Sequence, residues 1–239
     1  GLIPISFTTY VAFFNWDALG GAPQYLGLAN FHELLADPYF WNALRNTFSI
    51  WFLSTIPQMA LSLWVATMLA NPKLRGKVFW RVVLLVPNIT SVLAVTIVFQ
   101  QLFGLDFGMV NIALSYLGYH HVDWVGGTLA SHIAIATMIG WRWFGYNSLI
   151  FLASMQAIPR ELYESASLDG ASRWQQFRFV TIPQLRNTII FMLIMGTIGG
   201  LQVFAEPPTL GGSTSGLDSL KWMEPRAVAD VIRYEHPQI

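Results

Sequence analysis

Five apolar stretches separated by short polar segments set the pattern of the chain. Four are long and almost free of charge, at Thr47–Ala70, Val82–Leu105, Leu129–Ile158 and Asn187–Ala205, and a shorter one occupies Gly1–Trp16. A helix needs roughly 20 apolar residues to cross a bilayer, because its backbone groups must then be hydrogen-bonded within the helix. The pattern predicts an all-α, polytopic membrane helix bundle with four complete spans and a partial N-terminal one.

The positions of the basic residues predict how the bundle is oriented. Lys and Arg occur between the first two complete spans and between the third and fourth, whereas Asp17–Asn42 and Asp106–Gly127 contain neither. Short loops rich in Lys and Arg stay on the cytoplasmic side, so we expect the two basic loops in the cytoplasm and the other two outside. The basic residues are Lys73, Arg75, Lys77 and Arg81 in the first loop and Arg160, Arg173, Arg178 and Arg186 in the second.

Composition excludes several other classes of protein. Of the 239 residues, 54% are hydrophobic and 11% are charged, and the formal net charge is zero. A soluble domain carries about a quarter charged residues, and a nucleic-acid binder needs a basic surface. Because the chain has no cysteine, a disulfide framework, a cysteine metal site and a cysteine nucleophile are also excluded.

The domain organisation follows from the same pattern. We expect residues 1–205 to form one transmembrane domain, followed by a charged segment, 206–239, that has no apolar run long enough to span. This polar tail has two interpretations: an external end of the protein, or the product of truncation or a frame shift. Residues 1–16 begin without the basic region of a signal peptide and are interpreted as the outer end of a truncated helix.

The cytoplasmic segment 159–183 predicts two short helices joined at Gly170. Pro159 can open the first helix, and Asp169-Gly170 is a turn and helix-end signal. Ser172 and Gln175 have the spacing of a capping box for the second helix. Two interpretations are open: a helix pair that lies on the membrane surface, or a helical knob that docks into a partner. Along the second helix, apolar residues recur every three positions at Trp174, Phe177 and Val180.

The spacing within this segment resembles a known signature. Glu164-Ser165-Ala166, three residues, Gly170, nine residues and Val180-Thr181-Ile182-Pro183 resemble the EAA motif of bacterial ABC importer permeases. The departures are Ser165 for Ala, Val180 for Ile and Ile182 for Leu. The resemblance implies that the segment is a coupling helix that docks in a cleft of a cytoplasmic ATPase subunit. The coupling residues it implies are Glu164, Ala166, Asp169 and Gly170.

A wider part of the chain, about residues 1–210, resembles the carbohydrate-type permeases of the maltose and glycerol-phosphate systems. The matching segments include Gly27–Phe31, Trp41–Thr47, Arg81–Pro87 and Gln156–Pro159. Those permeases continue with a glycine-rich external loop and a last helix. Only the start of that loop, residues 210–212, is found here, so we expect the last helix to be missing.

A substrate path is predicted on the two helices that flank the coupling segment. Arg142 is charged at bilayer depth, which costs at least a few kcal/mol unless it faces a wet cavity or a partner. It could simply bond carbonyl groups or stack on a tryptophan, or it could face a sugar together with Trp143 and Tyr146. The resemblance favours the second interpretation, because the matching helix lines the family's pathway. It adds Gly200, which could instead serve helix packing, and Gln202, whose amide is costly in lipid.

Motifs for chemistry within the membrane are absent from the sequence. It contains no His-Glu-x-x-His, no Gly-x-Ser-x-Gly and no phosphate-binding Gly-x-x-x-x-Gly-Lys, so we expect a transport subunit and not an enzyme. No cofactor is expected in this chain. ATP and Mg would be bound by partner ATPase subunits.

The resemblance implies a membrane-spanning subunit of an ATP-driven, binding-protein-dependent importer in the cytoplasmic (inner) membrane of a bacterium. The substrate it implies is a sugar, an oligosaccharide or a sugar phosphate, moved by alternating access. The expected partners are cytoplasmic ATPase subunits, a second and non-identical permease subunit, an extracytoplasmic solute-binding protein and the lipid bilayer, with no nucleic acid. The alternative is a passive channel or a structural membrane scaffold without an ATPase.

Overall fold

The computed structural model describes residues 2–16, 23–124, 126 and 128–202. These residues are almost wholly helical, which confirms the predicted all-α class. The chain divides into two compact units between Arg45 and Asn46, and each is described by itself. The predicted polar tail, residues 206–239, lies outside the described residues.

The first unit is a short helical segment with one strand pair. Helix α1 (Leu2–Val11) leads into strand β1 (Phe14–Asn15), which pairs antiparallel with β2 (Gln24–Tyr25). Helix α2 (Ala29–Ala36) follows. The Asn30 side-chain amide donates hydrogen bonds to the carbonyl oxygens of Ala12 and Phe14, at 3.0 and 3.1 Å, and so ties α2 to the start of the strand pair.

The second unit contains the long helices. Helix α3 (Pro38–Ala70) enters it at Asn46, and α7 (Thr128–Gln156) is the other helix of comparable length. The remaining elements are α4 (Lys77–Ile89), α5 (Val92–Leu102), α6 (Met109–Tyr116), α8 (Arg160–Leu168), α9 (Arg173–Gln176), a π-helical turn (Phe177–Thr181), α10 (Ile182–Gln184) and α11 (Arg186–Leu201). Helix α7 is central, because α4, α5 and α11 all pack against it.

Two clusters of buried apolar side chains hold the second unit together. One joins α3, α5 and α7, and the other joins α3, α7 and α11. Close approach of the helices is possible where a side chain is missing: the backbone of Gly145 in α7 lies directly against the carbonyl of Leu84 in α4. The first cluster contains Ile50, Val95, Phe99, Phe103, Ala134, Ile135, Met138 and Ile139, and the second contains Ala66, Leu69, Phe151, Leu152, Met155, Ile158, Leu185 and Met192.

The stretch Val82–Leu105, predicted as one span, is divided between two helices, α4 and α5, that pass the length and composition test together but are bent. The chain bends by 93° between α4 and α5, where Thr90 and Ser91 have extended backbone conformations. Pro87 lies in the last turn of α4 and cannot donate to the preceding turn. The Thr90 hydroxyl then donates to the Val86 carbonyl at 2.7 Å, which supports the end of the helix.

Few of the described helices meet a strict description of a membrane span. By length and composition, α3 is the one helix among the described residues that is long and apolar enough to cross a bilayer. The count rises to three if each bent pair, α4 with α5 and Arg173–Gln184 with α11, is taken as one span. Helix α7 has 29 residues, but Arg142 and its other polar residues make it less apolar.

One buried asparagine organises the segment between α5 and α7. Asn111 of α6 is fully buried, and its amide donates to the carbonyl oxygens of Leu105 and Val122, both at 3.0 Å. Its side-chain oxygen accepts from the Val122 backbone N–H and from the Trp124 indole N–H, at 3.1 and 2.9 Å. The segment predicted as an external loop is therefore an ordered structure built around a short helix.

Candidate functional site

The coupling segment folds as predicted, with two helical pieces around Gly170. Helix α8 ends in a Schellman arrangement, in which the N–H of Gly170 donates to Ser167 and the N–H of Ala171 donates to Ala166. Gly170 has φ +76°, a left-handed conformation that suits glycine. Ser172 and Gln175 form the predicted capping box at the start of α9.

Side-chain hydrogen bonds lock the two halves of the coupling segment to each other. The hydroxyls of Tyr163 and Thr181 are hydrogen-bonded at 2.9 Å. The Gln176 amide donates to the Ser167 hydroxyl at 2.9 Å and to the Ala171 carbonyl at 3.1 Å. Tyr163 also packs against the buried cluster that joins α3, α7 and α11. These contacts connect α8 both to the second half of the segment and to the helix bundle.

The predicted coupling residues form the outer surface of this segment. Glu164, Asp169 and Gly170 are exposed, and Ala166 is half-buried. Neither carboxylate forms an ion pair with a described residue. Leu168, one turn after Glu164 on the same face of α8, is 89% exposed. The segment thus presents an apolar side chain flanked by two acidic ones.

In the aromatic stripe predicted for the second half of the segment, the rings of Trp174 and Phe177 lie together, with centroids 5.6 Å apart, but the residues differ in exposure. Trp174 is 69% exposed, whereas Phe177 and Val180 are half-buried. A π-helical turn begins at Phe177, and its extra residue per turn shifts the register of the side chains that follow.

The predicted substrate-path residues of α7 form a small group of their own. Arg142 is half-buried, and Trp143 and Tyr146 are 40% and 41% exposed. The Trp143 and Tyr146 rings meet edge to face, with centroids 6.0 Å apart. The structure therefore brings these two aromatic residues together on one side of α7, and the assignment of a substrate path to them stays a prediction.

The two predicted residues of α11 lie in different surroundings. Gly200 lies against α3, where an added Cβ would come within 2.5 Å of the Trp51 ring, so this glycine permits close helix packing. Gln202 caps the end of α11 through its backbone N–H, which donates to the Gly199 carbonyl, and the residue is exposed. Their role in a substrate path also stays a prediction.

A cleft of about 440 Å³ opens between α3 and α7. Among the described residues that line it, none belongs to the predicted substrate path. Gln58 is its most deeply buried polar residue after Ser54, and Trp141 contributes an aromatic ring that is 40% exposed. The lining residues are Leu53, Ser54, Pro57, Gln58, Leu61, Ile133, Ala136, Thr137, Gly140, Trp141 and Phe144.

The carbonyl of Phe144, a residue that lines this cleft, accepts one hydrogen bond from α3 and another from within α7. The hydroxyls of Ser62 and Ser148 both donate to the Phe144 carbonyl, at 2.8 and 2.6 Å. The sequence did carry a signal for the cleft that our prediction missed. Pro57-Gln58 places a helix-disturbing residue and an amide in the middle of an apolar span, and the argument applied to Gln202 holds there too.

Comparisons with known proteins agree with this architecture. Residues 58–223 match the family described as binding-protein-dependent transport system inner membrane component. The chain is 39% identical over 196 residues to the lactose transport system permease protein LacF of Rhizobium radiobacter, covering 81% of this chain and 65% of that protein. It is 30% identical over 215 residues to the trehalose/maltose transport system permease protein MalF of Thermococcus litoralis, covering 90% of this chain and 72% of that protein.

A second sugar-system relative and one solved structure extend the comparison. The arabinooligosaccharides transport system permease protein AraP of Halalkalibacterium halodurans is 33% identical over 183 residues, with 76% of this chain and 58% of that protein covered. The chain thus spans about two thirds or less of the length of the LacF and AraP relatives. The crystal structure of a bacterial ABC transporter involved in alginate import superposes with a TM-score of 0.72 at 23% identity, covering 98% of this chain and 80% of that one, which shows a shared fold. The chain belongs to the binding-protein-dependent transport system inner membrane components, the permease subunits of ABC importers.

Proposed function

We propose that this chain is the membrane-spanning subunit of an ATP-driven importer for a sugar or an oligosaccharide in the cytoplasmic membrane of a bacterium. The observation that carries the proposal is the coupling segment, in which Glu164, Leu168 and Asp169 are exposed on a rigid support. The names of the relatives support the substrate class, since they include lactose, arabinooligosaccharide and trehalose/maltose systems.

The mechanism follows from the stiffness of this segment. Separate ATPase subunits bind ATP and Mg and hydrolyse the nucleotide. They grip α8 through its exposed face, with Leu168 as the apolar contact and the two carboxylates as partners for basic groups. Because the Tyr163–Thr181 bond ties α8 to the segment ahead of α11, a movement of the ATPase shifts both flanking helices and changes the access of the substrate path.

The other partners are assigned by the same proposal. A second permease subunit completes the path across the membrane, and a solute-binding protein outside the membrane delivers the substrate. A relative by fold has been crystallised as an alginate transporter in complex with a pentasaccharide-bound periplasmic protein. Arg142, Trp143, Tyr146, Gly200 and Gln202 remain the proposed lining of the path on this subunit.

Co-purification with the ATPase tests the proposal. The tagged chain is co-expressed with its genomic neighbours, extracted in detergent and captured, beside a Glu164→Lys, Gly170→Leu double variant. We expect an ATPase subunit with the native chain and its loss from the variant, because the variant reverses a contact charge and strains the left-handed turn.

A matched control separates a coupling defect from misfolding. Gly118 has φ +81° and ends α6 with the same Schellman hydrogen bonds, outside the coupling segment. Gly118→Leu should therefore keep the ATPase. If a folded and inserted native chain captures no ATPase, the passive channel or scaffold alternative takes the place of the proposal.

A further inference from the structure

The cleft between α3 and α7 is lined by the amide side chain of Gln58, which has no hydrogen-bond partner among the described residues. Gln58 is 8% exposed. The buried polar atoms without a partner in the described part of the chain do not include the Gln58 amide, so the amide is accessible from the cleft and can bond a ligand or water there.

The other polar groups of the cleft are arranged as acceptors. The hydroxyl of Ser54 donates to the Trp51 carbonyl at 3.1 Å, and that of Thr137 donates to the Ile133 carbonyl at 2.7 Å. Since both protons are engaged, each oxygen can only accept from a ligand. Pro57 carries no N–H, so the carbonyl of the lining residue Leu53 lacks its regular helical donor.

An aromatic ring forms one wall of the same cleft. Trp141 is 40% exposed, and its ring is backed by Phe99, with centroids 5.7 Å apart. Gly140 lies one position earlier, and a Cβ added there would meet nothing closer than the Gln58 Cβ, at 3.9 Å. The absence of a side chain at residue 140 thus leaves room in front of the amide.

We propose that the cleft between α3 and α7 binds a neutral, hydroxyl-rich ligand, a sugar ring, through the Gln58 amide, the Ser54 and Thr137 oxygens and the face of Trp141. The ligand must donate several O–H groups to these acceptors and place an apolar ring face on the aromatic wall. No charged residue is among the described residues that line the cleft, so an anionic or cationic ligand would lack a counter-charge. The volume of about 440 Å³ lies within the range of small-molecule sites.

This inference rests on the proposed sugar importer and names the substrate class of that function. It selects neutral sugars over the sugar phosphates that the sequence left open. It adds the cleft to the proposed path: Arg142, Trp143 and Tyr146 keep their proposed place on the path but do not line the cleft.

The test uses the absence of cysteine from the sequence. Ile133 lines the cleft, is 39% exposed and supplies none of the polar groups, so Ile133→Cys gives a single reactive thiol at the site. Membrane vesicles that carry this variant with its partner subunits are treated with a charged methanethiosulfonate reagent. Lactose, maltose and trehalose serve as neutral probes, and glucose 6-phosphate as an anionic probe.

We expect the thiol to react and at least one neutral disaccharide to slow the reaction severalfold, while glucose 6-phosphate does not. Adding Gln58→Leu should raise the sugar concentration for half-protection about tenfold, the loss expected for one buried hydrogen bond. Gln101→Leu, on an exposed position of α5, should leave this half-protection concentration unchanged.

Two further variants test the location of the site. Gly140→Leu, which fills the cleft, should abolish protection. Ser115→Cys, exposed at the end of α6, should react at the same rate with and without sugar.

Three results overturn the proposal: a thiol at residue 133 that does not react with the charged reagent, protection by none of the three disaccharides, or equal protection by glucose 6-phosphate. Each of these results can occur while the native chain still captures its ATPase. A refutation of sugar binding in the cleft is therefore distinct from a refutation of the importer function. Conversely, a chain that binds no ATPase can still show sugar protection at residue 133.

Discussion

The left-handed turn at Gly170 offers the sharpest test of how the coupling segment works. An added Cβ at this residue would meet no atom within 4 Å, so substitution causes no steric clash and acts through the backbone alone. A residue other than glycine in this conformation costs roughly 1 to 2 kcal/mol. That cost lowers the ratio of the native turn to rearranged ones by a factor of about 5 to 30.

The prediction for Gly170→Ala is that affinity for the ATPase subunit falls by at most about 5- to 30-fold, the limit reached when the rearranged turn predominates in the free variant. The hydrogen bonds from Gly170 and Ala171 that end α8 would be lost in the rearranged turn, and the exposed face of Glu164 and Leu168 would no longer keep its position. Binding is measured by titrating the purified chain in lipid nanodiscs with the ATPase subunit.

Gly118→Ala is the matched control for this titration. Gly118 has the same hydrogen-bond arrangement, a φ of +81° and no atom within 4 Å of an added Cβ. We expect a similar loss of thermal stability in both variants but an unchanged ATPase affinity for Gly118→Ala. Equal affinities for the two variants would refute the role given to the Gly170 turn.

Three further predictions follow from the packing of the second unit. Gly145→Ala should lower the thermal unfolding midpoint in detergent, with a cost of about 1 to 3 kcal/mol for forcing α4 away from α7, whereas Gly140→Ala should not lower it; equal midpoints would contradict the close contact. Asn111→Ala should lower the free energy of unfolding by about 3 kcal/mol, because it leaves several buried backbone and indole groups without partners. The same variant should increase hydrogen exchange of the backbone amide of residue 122, and unchanged exchange would count against the role of Asn111. Arg142→Ala or Tyr146→Ala should alter substrate-stimulated ATP hydrolysis, and unchanged stimulation in a normally assembled complex would remove these residues from the proposed path.

Local sequence signals were sufficient to predict the secondary structure of the coupling segment. Its helix limits, the Gly170 turn and the Ser172–Gln175 capping box each depend on residues within a few positions of one another. The bonds that make the segment rigid could not be predicted in the same way. Tyr163 and Thr181 are 18 residues apart, so their contact depends on how the two halves of the segment pack and not on local sequence.

The long apolar stretches predicted the helices but not their geometry. A charge-free run looks the same whether it is straight or broken, so the 93° bend at Thr90–Ser91 was not visible in hydropathy. The cleft was missed for a related reason. Gln58 marks α3 as unusual, but the sequence does not show that Trp141 lines the same cleft, because that requires knowing which faces of α3 and α7 are turned toward each other.

ATP-driven uptake in proteoliposomes tests the central claim most directly. The chain is reconstituted with its partner permease, its ATPase subunits and its solute-binding protein, and uptake of radiolabelled lactose, maltose and trehalose is followed with and without ATP inside the vesicles. The account predicts accumulation of at least one sugar that requires both ATP and the binding protein and is lost with Glu164→Lys, Gly170→Leu. Sugar movement that is the same without ATP, or that survives the double variant, would contradict it.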